Sequence, residues 1–478
     1  MLSIWQQNCT IPPRQPLPGD RSTEIAVIGA GMAGLLIAEA LQRAGHRVLV
    51  LEADRIGSGQ TGRTTAKITS QHGLIYGKLI RALGREWASQ YARMNRQAVE
   101  EYAAVIRSRG IDCDFEVESN YVYGSDPVAL RAEAEAAASL GLPAAYTEDI
   151  PKPIPALAAV RFDGQAQFHP LKFLAAVAAD LTVYEHTRVQ AVDDRLLITD
   201  RGMVRAEKIV FACHFPIVNF PGLYFARMHQ ERSYVIALKN VKAPEGMWGS
   251  AEKGGYSFRT WGGTLLLGGG GHRTGQNKEG GRYDDLRQKA AAWFPGSREA
   301  AHWSAQDCMT PDGAPYIGVF SPNRPDWFVA TGFRKWGMTS SMVSALLLRD
   351  LMEGKPHPAA AAFDPGRFNV ATVLGVAAEA GHAAAGLGKS VFHIPFTAAD
   401  SLGAGEAGMV RLDGRKAAVS RDGDGSFRAV SPRCPHLGCE LTWNADEQTW
   451  DCPCHGSRFD PCGNLLNDPA QTPLKQVK

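Results

Sequence analysis

Two short groups near the end of the chain carry metal-ligand residue types: Cys434-Pro-His436 and, after fifteen intervening residues, Cys452-Pro-Cys454-His455. Two Cys and two His on paired loops fit a [2Fe–2S] centre in which two imidazoles replace two thiolates on one iron. The thiolates hold ferric iron. The neutral imidazoles lower the negative charge of the centre and raise its potential. A Cys₂His₂ zinc site would use the same donors. Zinc needs neither the flanking glycines nor the two further cysteines, Cys439 and Cys454, so the iron–sulfur reading is preferred. The metal ligands are then Cys434, His436, Cys452 and His455.

A second group lies near the start. Gly29-x-Gly31-x-x-Gly34 follows an apolar run, EIAVIGAG, and opens a segment with helical spacing. The first glycine allows a tight turn, the second lets a pyrophosphate approach the backbone, and the third lets helix and strand pack closely. The helix N-terminus then faces the phosphates. Glu52 stands 18 residues after Gly34, at the end of the next apolar run, where a ribose hydroxyl acceptor is expected. A Gly-rich turn with nothing bound would not need Glu52. The later run Gly268–Gly271 lacks a following helix and an acidic residue, so a second unit for a nicotinamide cofactor is not expected.

These groups sit in an ordinary globular composition. The chain has 478 residues, 51 Lys+Arg against 49 Asp+Glu, 45% hydrophobic and 21% charged residues. Such a length corresponds to about three domains. A net charge of +2 excludes a strongly basic nucleic-acid binder on bulk charge, and nine Cys are far too few for a disulfide scaffold. Met1–Asp20 has no basic start and no apolar core of a signal peptide. No window of about 18 or more apolar residues is present. The expectation is a cytoplasmic protein with no membrane span and no nucleic-acid partner.

The elements follow from periodicity. Strands are expected at 24–31 and 47–53 around a helix over 32–44 that stops at Gly45. A Gly/Thr/Ser loop over 57–76 precedes one long helix over 78–108. A strand over 115–123, a helix over 127–140 and a helix over 171–180 come next, then strands over 181–192 and 196–211. Residues 223–270 read as an antiparallel sheet with one solvated face. A strand at 327–330, a turn and a helix over 339–352 end this part. An Ala/Gly-rich linker over 366–389 leads to a short-stranded module over 390–478.

Three segments resemble FAD-dependent oxidoreductases of the D-amino-acid oxidase, glycine oxidase and sarcosine oxidase type: IGAGMAGLLIAEALQRAGHRVLVLEA, GSGQTGRTTAKITSQHG and FVATGFRKWGMTSSMVSALLLRDL. The resemblance spans residues 20–365. It implies an α/β FAD-binding, Rossmann-like part (about 20–110, 160–222 and 305–365) and an antiparallel substrate sheet (about 111–159 and 223–304). It implies FAD held by Gly29, Gly31, Met32, Ala33, Gly34, Glu52 and Ala53. Thr61, Gly62, Thr64 and Thr65 of the Gly/Thr loop, and Val189, complete that part. Gly332 and Gly337 would pass the flavin ring and ribityl chain, with Met338 and Thr339 opening a helix whose N-terminus favours negative charge on reduced flavin. Cys308 lies in the region where sarcosine-oxidase relatives can attach FAD covalently, although its spacing to the following Thr-Pro-Asp differs.

The C-terminal module is similar to all-β Rieske domains of the cytochrome bc/b6f-like subclass. That resemblance implies a disulfide between Cys439 and Cys454, which survives in a reducing compartment only if shielded. It implies a hydroxyl from Ser457 on a bridging sulfide, and a Pro loop at 468–474. Phe459 stands where the subclass usually has Tyr, and the lost hydrogen bond lowers the expected potential. The whole chain resembles a bacterial group that fuses the two units.

FAD takes two electrons as hydride, whereas a [2Fe–2S] cluster carries one. The expected enzyme oxidises a CH–NH or CH–NH₂ group of an amine or amino-acid-like substrate. It passes electrons singly through the cluster to an external protein or quinone. The alternative is an electron-transfer protein carrying electrons inward from a donor, without an amine substrate of its own. Such oxidation needs positioning rather than a catalytic triad. Candidate substrate-side residues are His72, Tyr256, Arg259, His272 and Lys335. Arg259 could pair bidentately with a carboxylate, the alternative being a sheet-face arginine. Lys335 could stabilise reduced flavin.

Overall fold

The structure is a computed structural model that describes residues 1–367, 381 and 399–477. The first apolar run forms the strand Arg21–Ile28, all of whose last four side chains are buried. It ends where Gly29 turns with φ +105°. The helix Met32–Arg43 returns along the sheet to the strand Val48–Leu51. Arg21–Ile28 sits inside a parallel run of strands, in the order Arg324–Thr331, Met203–Phe211, Arg21–Ile28, Val48–Leu51, Val183–Tyr184. An antiparallel strand, Tyr316–Ser321, lies at one edge. Apolar runs without alternation belong in such a sheet because both faces are covered.

The second sheet has the order Arg298–Met309, His229–Lys239, Thr264–Arg273, Ser257–Trp261, Met247–Ser250, Glu116–Gly124, Ala158–Gln167, Lys67–Ile68. Its expected solvated face is covered. The helix Arg282–Trp293 packs Tyr283, Leu286 and Ala290 on Tyr234, Ile236 and Leu238, while Val235 and Ala237 join the main core on the other side. The Gly268–Gly271 run is part of a strand in this sheet.

Other differences have local causes. The single helix expected over 78–108 is two, Tyr76–Leu83 and Arg85–Arg109, broken at Gly84 with φ +85°. The two strands expected over 181–211 are four, separated by tight turns. The segment before residue 20 packs into the body: the short helix Ile4–Asn8 buries Trp5 fully against His169 and Trp261.

The C-terminal module holds two small antiparallel sheets. One is Ala407–Leu412, Arg415–Arg421, Phe427–Val430; the other is Thr442–Asn444, Thr449–Asp451, Arg458–Phe459, Leu465–Asn467. Trp450, Phe459, Leu441 and the cluster-loop cysteines form its core. The linker expected over 366–389 lies almost wholly outside the described residues. No described helix is long and apolar enough to cross a membrane.

Candidate functional site

One cavity of about 1700 Å³ lies between the two large sheets, and its walls include residues of the C-terminal module. Two helix N-termini reach it. The first opens at Gly31 with no side-chain cap, and Thr61 Oγ1 accepts from the Met32 N–H at 2.9 Å. The second opens at Gly337, also without a side-chain cap. Helix starts whose N-cap residues supply no side-chain acceptor suit an anionic ligand.

The glycine turn is shaped for close approach. A Cβ on Gly29 would lie 2.7 Å from the Ala212 carbonyl oxygen. A Cβ on Gly34 would fall on the Gly29 carbonyl oxygen, far inside contact distance. Glu52 accepts from the Ala30 N–H at 2.7 Å and the Asp54 N–H at 2.9 Å. Burial raises its carboxyl above the ordinary value, against those two hydrogen bonds. A cradle of this kind fits a dinucleotide with its ribose at Glu52.

The structure sorts the expected cofactor residues. Gly29, Gly31, Met32, Ala33, Glu52, Ala53, Thr61, Thr64, Thr65, Val189, Gly337 and Met338 line the cavity. Gly34, Gly62, Gly332 and Thr339 do not; they shape it from behind. Gly332 (φ +72°) packs on Thr310 and Met228, and the Thr339 hydroxyl donates to the Thr69 carbonyl at 3.0 Å. Cys308, weighed as a point of covalent FAD attachment, does not line the cavity. Its thiol is buried beside the His214 carbonyl, away from the cavity wall, and burial raises it well above its ordinary range.

On the substrate side, Arg259 is the clear correction. It is 1% exposed, and its guanidinium donates to Gln167 Oε1 at 2.9 Å and to the carbonyls of Thr65 and Phe168 at 2.6 and 2.8 Å. It also lies over the Trp5 ring at 4.9 Å. This arginine ties the N-terminal segment to the Gly/Thr loop; all three of its guanidinium nitrogens are engaged by protein acceptors and it does not line the cavity. Replacing it with alanine strands three buried acceptors at about 1–3 kcal/mol each. The expected result for R259A is a large drop in melting temperature with no specific change in substrate affinity.

His72, Tyr256, His272 and Lys335 do line the cavity. His72 stacks on Trp336 at 4.9 Å between ring centres, donates from Nε2 to Thr69 and accepts from Tyr91. Burial pushes its pKa down to about 3, so the imidazole is neutral. Tyr256 donates to Asp285 at 2.9 Å. His272 donates to the Arg273 carbonyl and accepts from Tyr234. Lys335 Nζ lies 3.2 Å from Ser233 Oγ and 3.7 Å from Glu231.

Three cavity residues were missed by sequence reasoning. Glu231 is held down to about 2, the His229 hydrogen bond being the largest cause. Asp307, its register partner on the neighbouring strand, is pushed up to about 7 by burial. Burial likewise brings Lys67 down to about 7. Glu231 and Asp307 belong to one face of two paired strands, which only register reveals. Lys67 lay in plain view within the Gly/Thr loop.

The second centre is the cysteine–histidine group. Cys439 and Cys454 form a disulfide, as the resemblance implied. Three sulfurs, of Cys439, Cys452 and Cys454, lie within 4.8 Å of one another, but the disulfide uses two of them. The remaining donors converge. The Cys434 thiol hydrogen-bonds to the Cys452 sulfur, and His436 Nδ1 faces His455 Nδ1 at 3.3 Å. That thiol, then the backbone N–H groups of His455, Cys454 and Gly456, hold Cys452 below its ordinary value. His436 donates from Nε2 to Asn219 Oδ1 at 2.8 Å, which leaves Nδ1 as the ligating nitrogen. Two thiols and two Nδ1 atoms aimed at one place suit a Rieske cluster. The Ser457 hydroxyl reaches Cys434 and accepts from the Ala470 N–H at 3.0 Å.

Residues 24–351 match the FAD dependent oxidoreductase family, DAO. The chain belongs to that family. The oxidoreductase also carries a Rieske [2Fe-2S] domain, matched over residues 393–478. A Bacillus subtilis (strain 168) protein named as a Rieske 2Fe-2S iron-sulfur protein, YhfW, is 36% identical over 494 residues, covering 99% of this chain and 97% of its own. Cytochrome b6-f complex iron-sulfur subunit 1 of Synechocystis is 43% identical over 60 residues, 13% of this chain and 34% of its own. Glycine oxidase from Geobacillus kaustophilus has the fold of the body, with TM-score 0.61 and 21% identity over 73% of this chain and 99% of its own. The oxidoreductase therefore binds FAD and a [2Fe-2S] cluster.

Proposed function

We propose that this chain oxidises an amine or amino-acid-like small molecule and delivers the electrons one at a time to an external acceptor. The observation that carries the reading is the single cavity bounded by the dinucleotide cradle, the substrate sheet and the iron–sulfur module. FAD supplies a two-electron hydride acceptor and the cluster a one-electron carrier, so two deliveries balance one amine-to-imine oxidation, with two protons released. The Gly29–Gly34 turn, Thr61 and Glu52 hold the dinucleotide; Cys434, His436, Cys452 and His455 hold the cluster. His72, fixed by Tyr91 and Thr69, presents a neutral ring to the cavity. Asp307, ionising near neutrality, is suited to hold a released proton. A relative of the fold is named for oxidation of glycine, which supports an amino-acid-like substrate class.

The test is an anaerobic absorbance titration with a panel of amines and amino acids, with EPR on the same samples. Flavin bleaching followed by a reduced Rieske signal supports the reading. Reduction only from an added ferredoxin-like donor, with no bleaching by any amine, supports inward electron flow and sinks it. Phe459 is fully buried in the module core, where a phenol would be forced to seek a partner. Phe459→Tyr is expected to raise the cluster potential in an EPR-monitored redox titration, and the native chain to lie below respiratory Rieske proteins.

A further inference from the structure

The paired strands His229–Lys239 and Arg298–Met309 turn alternate side chains toward different neighbours, as pleating requires. Glu231 and Asp307 face the ionisable cluster of the cavity, whereas Gln230, Arg232 and Gln306 bond into the iron–sulfur module. Gln230 Nε2 donates to the carbonyl of the ligand His455 at 2.7 Å and to that of Asp468 at 3.1 Å. Gln306 Nε2 donates to the Gly456 carbonyl at 2.8 Å and to Gln230 Oε1 at 2.6 Å. Arg232 donates to Gln306 Oε1 at 2.8 Å and fixes that amide.

The approach is too close for water. A Cβ on Gly456 would lie 2.7 Å from Gln230 Cβ. A Cβ on Gly275 of the body would lie 2.6 Å from Pro453 Cα, inside the same ligand loop. The other ligand loop is also held: Asn219 caps His436, and the Phe225 ring stands edge-on to His436 and His455, at 6.1 and 5.7 Å between centres. Both ligand loops are thus packed on the flavoprotein body, and one strand layer lies between the His455 loop and Asp307 in the cavity.

We propose that the cluster-binding loops occupy a fixed seat on the body, built by Gln230, Gln306, Gly275 and Asn219, so that one chain is a complete electron-transfer unit. The seat engages backbone carbonyls of the ligand loop through Gln230 and Gln306, and it places a hydrogen bond on each side of the cluster. Such outer contacts tune a metal centre as well as orient it. This rests on the reading that electrons pass between flavin and cluster.

The test locks the seat at a point away from the cluster. Asn277 and Asp446 touch across the boundary at 2.7 Å. In holoprotein carrying N277C and D446C, cross-linked by oxidation, the flavin is photoreduced and cluster reduction followed by EPR. The expected result is reduction at the wild-type rate, independent of protein concentration. A rate slowed by the lock, or proportional to concentration, overturns the proposal. Gln230→Leu and Gln306→Leu are each expected to shift the g values and lower the fraction of cluster reduced; unchanged spectra in both also overturn it. If flavin reduces the cluster in no variant while those shifts are present, the seat stands and the electron-delivery reading falls.

Discussion

Gly34→Ala is expected to yield a chain that retains its iron–sulfur centre but loses FAD. The added methyl would fall on the carbonyl oxygen of Gly29, and behind that oxygen lies only backbone. A flexible neighbour could move aside; this one cannot, because Gly29 is pinned by its N–H to the Leu51 carbonyl at 2.8 Å and faces Ala212 on the next strand. Relief requires the helix Met32–Arg43 to lift from the strand Arg21–Ile28. That movement displaces the N–H groups aimed at the pyrophosphate and breaks burial of Leu35, Leu36 and Ile37. Overpacking of this kind costs about 1–3 kcal/mol where side chains can adjust, so a backbone clash belongs at or above the upper end. Flavin content per chain, measured against iron content in the same sample, checks it. Stoichiometric flavin in the variant would show that the turn does not form the cradle described.

How much of this was legible in the sequence depended on the range of the interactions. The dinucleotide turn and the four cluster ligands are local patterns whose spacing reflects one turn or one loop. Arg259 was misread because its partners come from Trp5, Thr65, Gln167 and Phe168, which no spacing connects. Cys308 could be weighed as an FAD attachment point because strand position alone does not reveal which face turns inward; its neighbours Asp307 and Met309 face the cavity instead. The helix Arg282–Trp293 was missed because its sequence, RYDDLRQKAAAW, offers only Tyr283, Leu286 and Ala290 as an apolar stripe. The contacts of Gln230, Gln306 and Asn219 with the cluster loops join residues 150 or more positions apart, so nothing short of the assembled fold displays them.

Glu447→Ala is expected to be the most destabilising single change at the boundary between the two units. Glu447 belongs to the module, and its carboxylate lies 3.3 Å from Arg232 of the body and 3.3 Å from Arg458 of the module. Tyr283, also of the body, donates to it at 2.7 Å. All three charged side chains are under 10% exposed. Removing the carboxylate leaves the buried Arg232 guanidinium without its ion-pair partner and Arg458 with Asp451 alone, and breaking a buried pair in this way costs about 3–5 kcal/mol. The pH dependence has a definite sign. Burial pushes the Glu447 carboxyl up, but Arg232 and Arg458 outweigh it and hold it at about 2, against an ordinary value of 4.5. A depressed carboxyl contributes stability that is fully present above the ordinary value and is lost as pH falls toward the depressed one. The shift corresponds to about 3 kcal/mol, comparable with the mutational loss. Wild type and E447A are therefore expected to differ most in thermal stability near neutrality, and the difference should begin to close below about pH 4.5. Glu447→Gln should sit between them, since it keeps the hydrogen bond from Tyr283 but not the charge. A difference between wild type and E447A that held constant down to about pH 3.5 would mean that the three side chains do not form a buried ionised group, because protonation must then remove what the mutation removes.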